Sequence, residues 1–164
     1  MIKEYSRICA NNIVFKTRGF EEVKDNFRKT EGQIKLPERA TEHSIAYDFF
    51  SPIEITILPN ESEMIWSDVK AYFQPTEALL INVRSSMGKQ PIMIANTQGW
   101  IESDYYSNES NDGNIGFRLL NLGNQPYVIH QGDKIGQAMF INYLVADNGN
   151  TEVKRTGGWG STGK

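Results

Sequence analysis

"LLINVRSSMGKQPIMIANTQGWIESDYY", Leu79 to Tyr106, alternates between short apolar runs and turn residues. Leu79 to Val83 is a run, Gly88-Lys89 a turn, Ile92 to Ala95 a second run and Thr97-Gln98-Gly99 a second turn. Runs this short suit buried strands better than helices. The same texture continues in both directions. Ile13 to Phe15 and Ile53 to Leu58 read as strands upstream, the latter ending at Pro59-Asn60; Ile115 to Leu120, Tyr127 to His130 and Ile135 to Val145 follow downstream. Between them stand Asn111-Asp112-Gly113-Asn114, Gly123-Asn124 and Gln131-Gly132-Asp133. The pattern predicts an all-β barrel or sandwich with long hairpins. One short helix is predicted where Phe20, Val23 and Phe27 recur at helical spacing, and Leu36-Pro37 with Glu38 to Ser44 reads as an extended connector into the first main strand.

At 164 residues and 39% hydrophobic content the chain can bury one core of its own. Acidic residues outnumber basic ones, 20 to 17, and no Lys/Arg run exceeds two residues, which argues against a nucleic-acid partner held by a general basic field. The lone Cys9 allows no internal disulfide, and His43 and His130 cannot complete an ordinary zinc site with it. No apolar stretch approaches a membrane span, and charges interrupt the first thirty residues. The expectation is a cytoplasmic protein without a membrane partner.

Several stretches carry groups that can do chemistry. In "INVRSSMGK", Arg84 can hold phosphate oxygens bidentately, with the hydroxyls of Ser85 and Ser86 beside it. Taken alone, the same letters describe a surface arginine with two turn-forming serines. In "NTQGWIESDYY", Asn96 to Tyr106, the chain turns through Gly99 and returns with Glu102 and Asp104 on one face of an extended segment. One of these carboxylates can serve as general base toward a water, or the segment is a solvated acidic turn over core aromatics. A hairpin tip there also offers backbone groups to a base edge. In "SIAYDFFS", Asp48 sits inside an aromatic strand and needs a partner, whether arginine, water or metal. "HQGDKIGQAMF" reads alone as a strand, a Gly132-Asp133 hairpin turn and a long strand begun near Gln137.

The chain closes on "RTGGWGSTGK", Arg155 to Lys164, in which glycines surround Trp159. Such a tail loses much backbone freedom on ordering and needs a reason to do so. A flat ligand face for Trp159 and negative charge for Arg155 would supply one.

Taken in order, "AYDFFS", "RSS", "GWIESDY", "QGDKIGQ" and "RTGGWGSTG" resemble the motifs of the homotrimeric dUTPases, from about Arg39 to the C-terminus. The lengthened segment "SDYYSNESNDGNIGF" resembles forms from low-GC Gram-positive bacteria and their phages. The resemblance implies a jelly-roll β-barrel of the β-clip type spanning residues 1–154, with residues 1–17 as an N-terminal extension and 155–164 as a mobile arm. Three such chains would form a trimer with active sites shared between subunits. The implied reaction is magnesium-dependent hydrolysis of dUTP to dUMP and pyrophosphate, limiting uracil in DNA and supplying dUMP for thymidylate synthesis. By the same resemblance Glu102 is the general base. Asp48 steadies either the magnesium water shell or a neighbouring arginine, and the phosphates and water hold the metal itself. Arg84, Ser85, Ser86 and Gln137 meet phosphates. Asn96 and the backbone of Gly99, Trp100, Ile101 and Glu102 read uracil, and Tyr105 packs under the deoxyribose. Trp159 stacks on the base, Arg155 meets the γ-phosphate, and Gly160, Ser161 and Thr162 ring the phosphate chain.

The chain also departs from the family pattern. Glu102 stands where aspartate is usual, Trp100 where a smaller aliphatic residue is usual, Ile45-Ala46 for Ala-Gly, and Lys134 and Gly136 for Arg and Ala. These changes leave a second reading, a catalytically weakened dUTP-binding regulatory relative acting through a protein partner. The related dCTP deaminases need a glutamate three residues before an asparagine on the following strand, where "RLLN" has Arg118.

Overall fold

The computed structural model describes residues 16–149, 151–155 and 157–159. The strand expected at Ile13 to Phe15, and Gly160, Ser161 and Thr162, lie outside the described residues. The fold is all-β, as the punctuated apolar runs predict. Its strands are β1 (Gly19–Glu22), β2 (Glu38–Arg39), β3 (Tyr47–Phe50), β4 (Ile55–Ile57), β5 (Ser62–Trp66) and β6 (Val69–Tyr72). They continue with β7 (Glu77–Asn82), β8 (Ile92–Ile94), β9 (Gly99–Glu102), β10 (Gly116–Asn121), β11 (Tyr127–Ile129) and β12 (Lys134–Asn142).

Pairing is antiparallel throughout the described ladders, in sheets of order β2-β3-β12-β7-β9, β5-β10-β8, β1-β6 and β4-β11. The expectation of long hairpins is overturned: among these ladders only β2–β3 joins strands consecutive in sequence. Turn residues announce that the chain reverses, yet they do not say which strand it meets next. At His130–Asp133 the Asp133 N–H donates to the His130 carbonyl at 3.0 Å, and Gly132 takes the positive φ of 86° that a type II turn requires. That turn nevertheless sends β11 to β4 and β12 to β3 and β7. Sandwiches and jelly rolls bury strands by passing them between sheets, so their ladders are non-local.

The predicted helix is absent. Phe20 lies on β1 opposite Ala71, and only Asp25–Phe27 makes a single 3-10 turn. Three apolar residues cannot repay helix nucleation, whereas the edge of β6 offers ladder bonds and a pocket of rings. Phe20 meets Tyr47, Phe49 and Phe140 at centroid separations of 5.2–5.5 Å. The last strand stops at Asn142 rather than Val145, because β7 offers no partner beyond Glu77 and Leu144 stands fully in solvent. The core is aliphatic and aromatic, with Phe49, Phe117, Ile57, Ile65, Leu79, Leu119 and Ile135 fully buried. Each such side chain contributes roughly 1.5–3 kcal/mol by leaving water.

Candidate active site

Two clefts lie on the two faces of β7. On one side, Ile81 borders a cleft of about 480 Å³ with Asn96, Gly99 to Glu102, Tyr105, Arg118, Arg155, Gly158 and Trp159. On the other, Leu80 and Asn82 border a second cleft with Asp48, Arg84 and Gln137. Successive residues of a strand point to opposite faces, so the alternation Leu80, Ile81, Asn82 separates the two linings, which share no residue.

The first cleft is formed by a change of sheet. β8 pairs with β10 and β9 pairs with β7, so Gly99 opens a crossing between sheets and not the expected hairpin. Gly99 sits opposite Ile81 in the ladder, where a Cβ would overlap the isoleucine side chain; its absence lets β9 close on β7. As the outer strand of its sheet, β9 pairs with β7 alone and leaves its other backbone edge toward the cleft. Backbone donors and acceptors on such an edge can read a planar heterocycle without using side chains. Trp100 and Glu102 point outward from β9, while Gly99 and Ile101 point into the core.

Glu102 ends the strand and Asp104 lies in the 3-10 turn Ser103–Tyr105, so they do not share an extended face as the sequence suggested. The turn instead converges them on one cation. Arg155 places Nη2 2.7 Å from Glu102 Oε2 and Nε 2.9 Å from Asp104 Oδ1. Its guanidinium lies over the Tyr105 ring at 5.6 Å, with its side chain only 7% exposed. The described part of the arm therefore packs on its own chain, and Trp159 reaches Trp66 edge to face at 6.2 Å. Tyr105 is buried, and burial, partly countered by the Asn111 hydrogen bond, holds its phenol above the usual value.

In the second cleft the β3–β12–β7 register sets Asp48, Gln137 and Asn82 in one row across the sheet. Asp48 is 4% exposed and finds the partners that its aromatic setting demands. Arg84 Nε donates to Oδ1 at 2.6 Å, and Lys134 Nζ lies 2.7 Å from Oδ2. Burial alone would raise this carboxyl; Lys134 and Arg84 outweigh it and hold the group below its ordinary value. Arg84 also donates through Nη1 to Ser86 Oγ at 3.0 Å, while Ser85 and Ser86 lie exposed ahead of the turn Met87–Lys89 that buried Met87 anchors. An arginine fixed by a carboxylate and flanked by exposed hydroxyls can take an anion.

Among the described residues, no group of three or more His, Cys, Asp and Glu side chains gathers as a metal cage. Both Asp48 oxygens already face cations. No helix among the described residues is long and apolar enough to cross a membrane.

Trp66 and Asn111 were not among the residues expected at the site. Trp66 is a strand aromatic like any other in the sequence, and Asn111 belongs to a segment read only as a turn. Arg118 lines the first cleft with its guanidinium 3.4 Å from Ser62 Oγ.

An antiparallel barrel with an aromatic-lined cleft, an acidic rim and a separate arginine–serine segment has the make-up of a nucleotide-binding barrel. The dUTPase family profile matches residues 32–163. The deoxyuridine 5'-triphosphate nucleotidohydrolase of Lactococcus lactis is 37% identical over 151 residues, covering 90% of this chain and 99% of that protein. The crystal structure of dUTPase from Streptococcus mutans superposes with a TM-score of 0.70 at 30% identity, covering 79% of this chain and 99% of that one. A dUTPase from phage phi11 of S. aureus shares the fold, with a TM-score of 0.67 at 19% identity over 84% of this chain and 97% of that one. This chain belongs to the dUTPase family and has its jelly-roll fold.

Proposed function

We propose that this protein hydrolyses dUTP to dUMP and pyrophosphate by attack of water on the α-phosphorus. Family membership supports the substrate, and the observation that carries the chemistry is the position of Glu102. Its exposed carboxylate ends the edge strand at the rim of the cleft that holds Asn96, Tyr105 and Trp159. A carboxylate there can take the proton of the attacking water as the oxygen–phosphorus bond forms, while pyrophosphate leaves with the electron pair of the broken α–β linkage.

Asn96 and the free edge of β9 read the uracil, Tyr105 faces the deoxyribose, and Trp159 stacks on the base. Arg84, Ser85, Ser86 and Gln137 take phosphates, with Asp48 orienting Arg84. Gly160, Ser161 and Thr162 contact the phosphate chain. Magnesium travels with the triphosphate and offsets its charge.

Asn96, Tyr105 and Trp159 border one cleft while Arg84 and Gln137 border the other, on the opposite face of β7. That separation supports a homotrimer in which the nucleoside cleft of one protomer meets the Arg84 cleft of its neighbour.

The test is pyrophosphate release from dUTP, dCTP, dTTP and UTP at equal concentration, with magnesium and with chelator. Selective turnover of dUTP that stops with the chelator is the expected result. Turnover of dCTP equal to that of dUTP would overturn the reading.

A further inference from the structure

Asn111 lies outside every site motif, in the excursion between Ser103–Tyr105 and β10, and it is 6% exposed. The excursion ends in a tight turn whose central residues, Asp112 and Gly113, both take positive φ, 56° and 83°. That is the type I′ signature of an Asp-Gly pair. The turn is fixed from outside, since Asp112 Oδ2 accepts from Lys70 Nζ at 2.8 Å and from the Lys24 N–H at 2.9 Å. Asn111 is thereby held at a set position beneath the cleft.

Its amide is fully used. Oδ1 accepts from Asn108 Nδ2 at 2.6 Å and from the Gly113 N–H at 3.1 Å, and Nδ2 donates to Tyr105 Oη at 2.7 Å. The Tyr105 hydroxyl in turn donates to the Asn114 carbonyl at 2.8 Å. Two hydrogen bonds thus fix the far end of a ring that packing alone would leave free to tilt. The arm crosses the same amide. A Cβ added to Gly158 would stand 2.9 Å from Asn111 Cγ and Nδ2 and 2.6 Å from Ser110 Oγ, so only a glycine backbone can lie this close.

We propose that Asn111 is a positioning residue for the nucleoside cleft, pinning Tyr105 by its hydroxyl and giving Gly158 of the arm its seat. This rests on the proposed function, in which Tyr105 faces the deoxyribose. Asn111 touches no substrate; it acts through the ring. A ribose 2′-hydroxyl enters only where the ring can yield, and a displacement of about 1 Å is enough to change rates strongly. Asn111 therefore sets how firmly UTP is refused.

The experiment measures kcat and KM for dUTP and UTP in wild type, Asn111→Ala, Asn111→Asp and Tyr105→Phe. Asn111→Asp keeps the shape and the Oδ1 contacts but offers Tyr105 an acceptor in place of a donor. The ratio of kcat/KM for dUTP over UTP is expected to fall about 5- to 10-fold in each variant, through a lowered KM for UTP more than a changed kcat for dUTP. A merely structural role would lower both substrates alike and leave the ratio unmoved. Should Asn111→Ala not fold, Tyr105→Phe, which removes only the pinned hydroxyl, carries the test. An unchanged ratio in the folded variants, with a selective wild type, overturns this inference. A wild type that does not hydrolyse dUTP overturns the proposed function instead.

Discussion

Arg155 Nη2 lies 2.7 Å from Glu102 Oε2, so the first residue of the arm is fastened to the carboxylate proposed above as the base. The incoming triphosphate offers that guanidinium a more highly charged partner. Glu102→Gln removes the base and keeps the shape. Its pyrophosphate release from dUTP should fall about 10²- to 10⁴-fold, with binding of a non-hydrolysable dUTP analogue retained. Full turnover in that variant would sink the assignment of the base.

Arg155→Ala frees Glu102 and Asp104 and removes the cation that the family resemblance assigns to the phosphate chain. Loss of a charge-assisted contact predicts a fall of about 10- to 100-fold in kcat/KM for dUTP, chiefly through KM. An unaltered KM would mean that Arg155 serves only its own chain.

Of the three tryptophans of the chain, Trp100 and Trp159 line the first cleft, and Trp66 meets Trp159 at an interplanar angle of 78°. Titrating the non-hydrolysable analogue should therefore change the intrinsic emission, and Trp159→Phe should remove much of that change. A flat titration of the wild type counts against closure of the arm.

Lys70 and Asp112 form a buried pair at 2.8 Å, their side chains 7% and 1% exposed. Asp112→Ala leaves an ammonium buried without its partner, a change that typically costs about 3–5 kcal/mol. Chemical denaturation should show the loss as a lowered midpoint with an unchanged slope.

Acid sensitivity follows from Asp48 and Asp112. Burial pushes both carboxyls up, but Lys134 and Arg84 at Asp48, and Lys70 with the Lys24 N–H at Asp112, carry both below their ordinary values. The unfolded chain, whose aspartates titrate near about 3.9, takes up protons in acid before the folded chain does. The stability they lend is complete above that value and is lost as pH falls through the lower folded pKa values. Asp112→Asn should flatten the acid limb of a denaturation profile, and a limb as steep as that of the wild type would contradict this.

Strands are legible in the sequence because their signal is local: Leu79 to Val83 and Ile115 to Leu120 fall within a residue or two of β7 and β10. The demand of Asp48 for a cation is also local, since a carboxylate between Tyr47 and Phe49 cannot stand alone. Strand partners are not legible. Gly99 and Gly132 signal reversals at Asn96–Gly99 and His130–Asp133, but which sheet receives the chain is decided by packing across the core. The same limit explains Phe20, whose spacing to Val23 and Phe27 imitates a helix while its ring belongs among Tyr47, Phe49 and Phe140. Asn111 is hidden for a related reason. Its importance comes from a tyrosine and a glycine that reach it only after folding.

The family match starts at residue 32, but the buried carboxylate of Asp68 accepts from the N–H groups of Lys29 and Thr30 at 2.8 and 3.0 Å. Asp112 takes its bond from Lys24 in the same way. A chain trimmed to the matched region would keep every site motif but lose these N–H donors, leaving Asp68 to the Asn114 amide at 2.7 Å and Asp112 to Lys70 at 2.8 Å. The family profile begins after one strand, one turn and the residues that serve these acids, whereas the likeness to the Lactococcus lactis protein, over 90% of the chain, reaches upstream of that start.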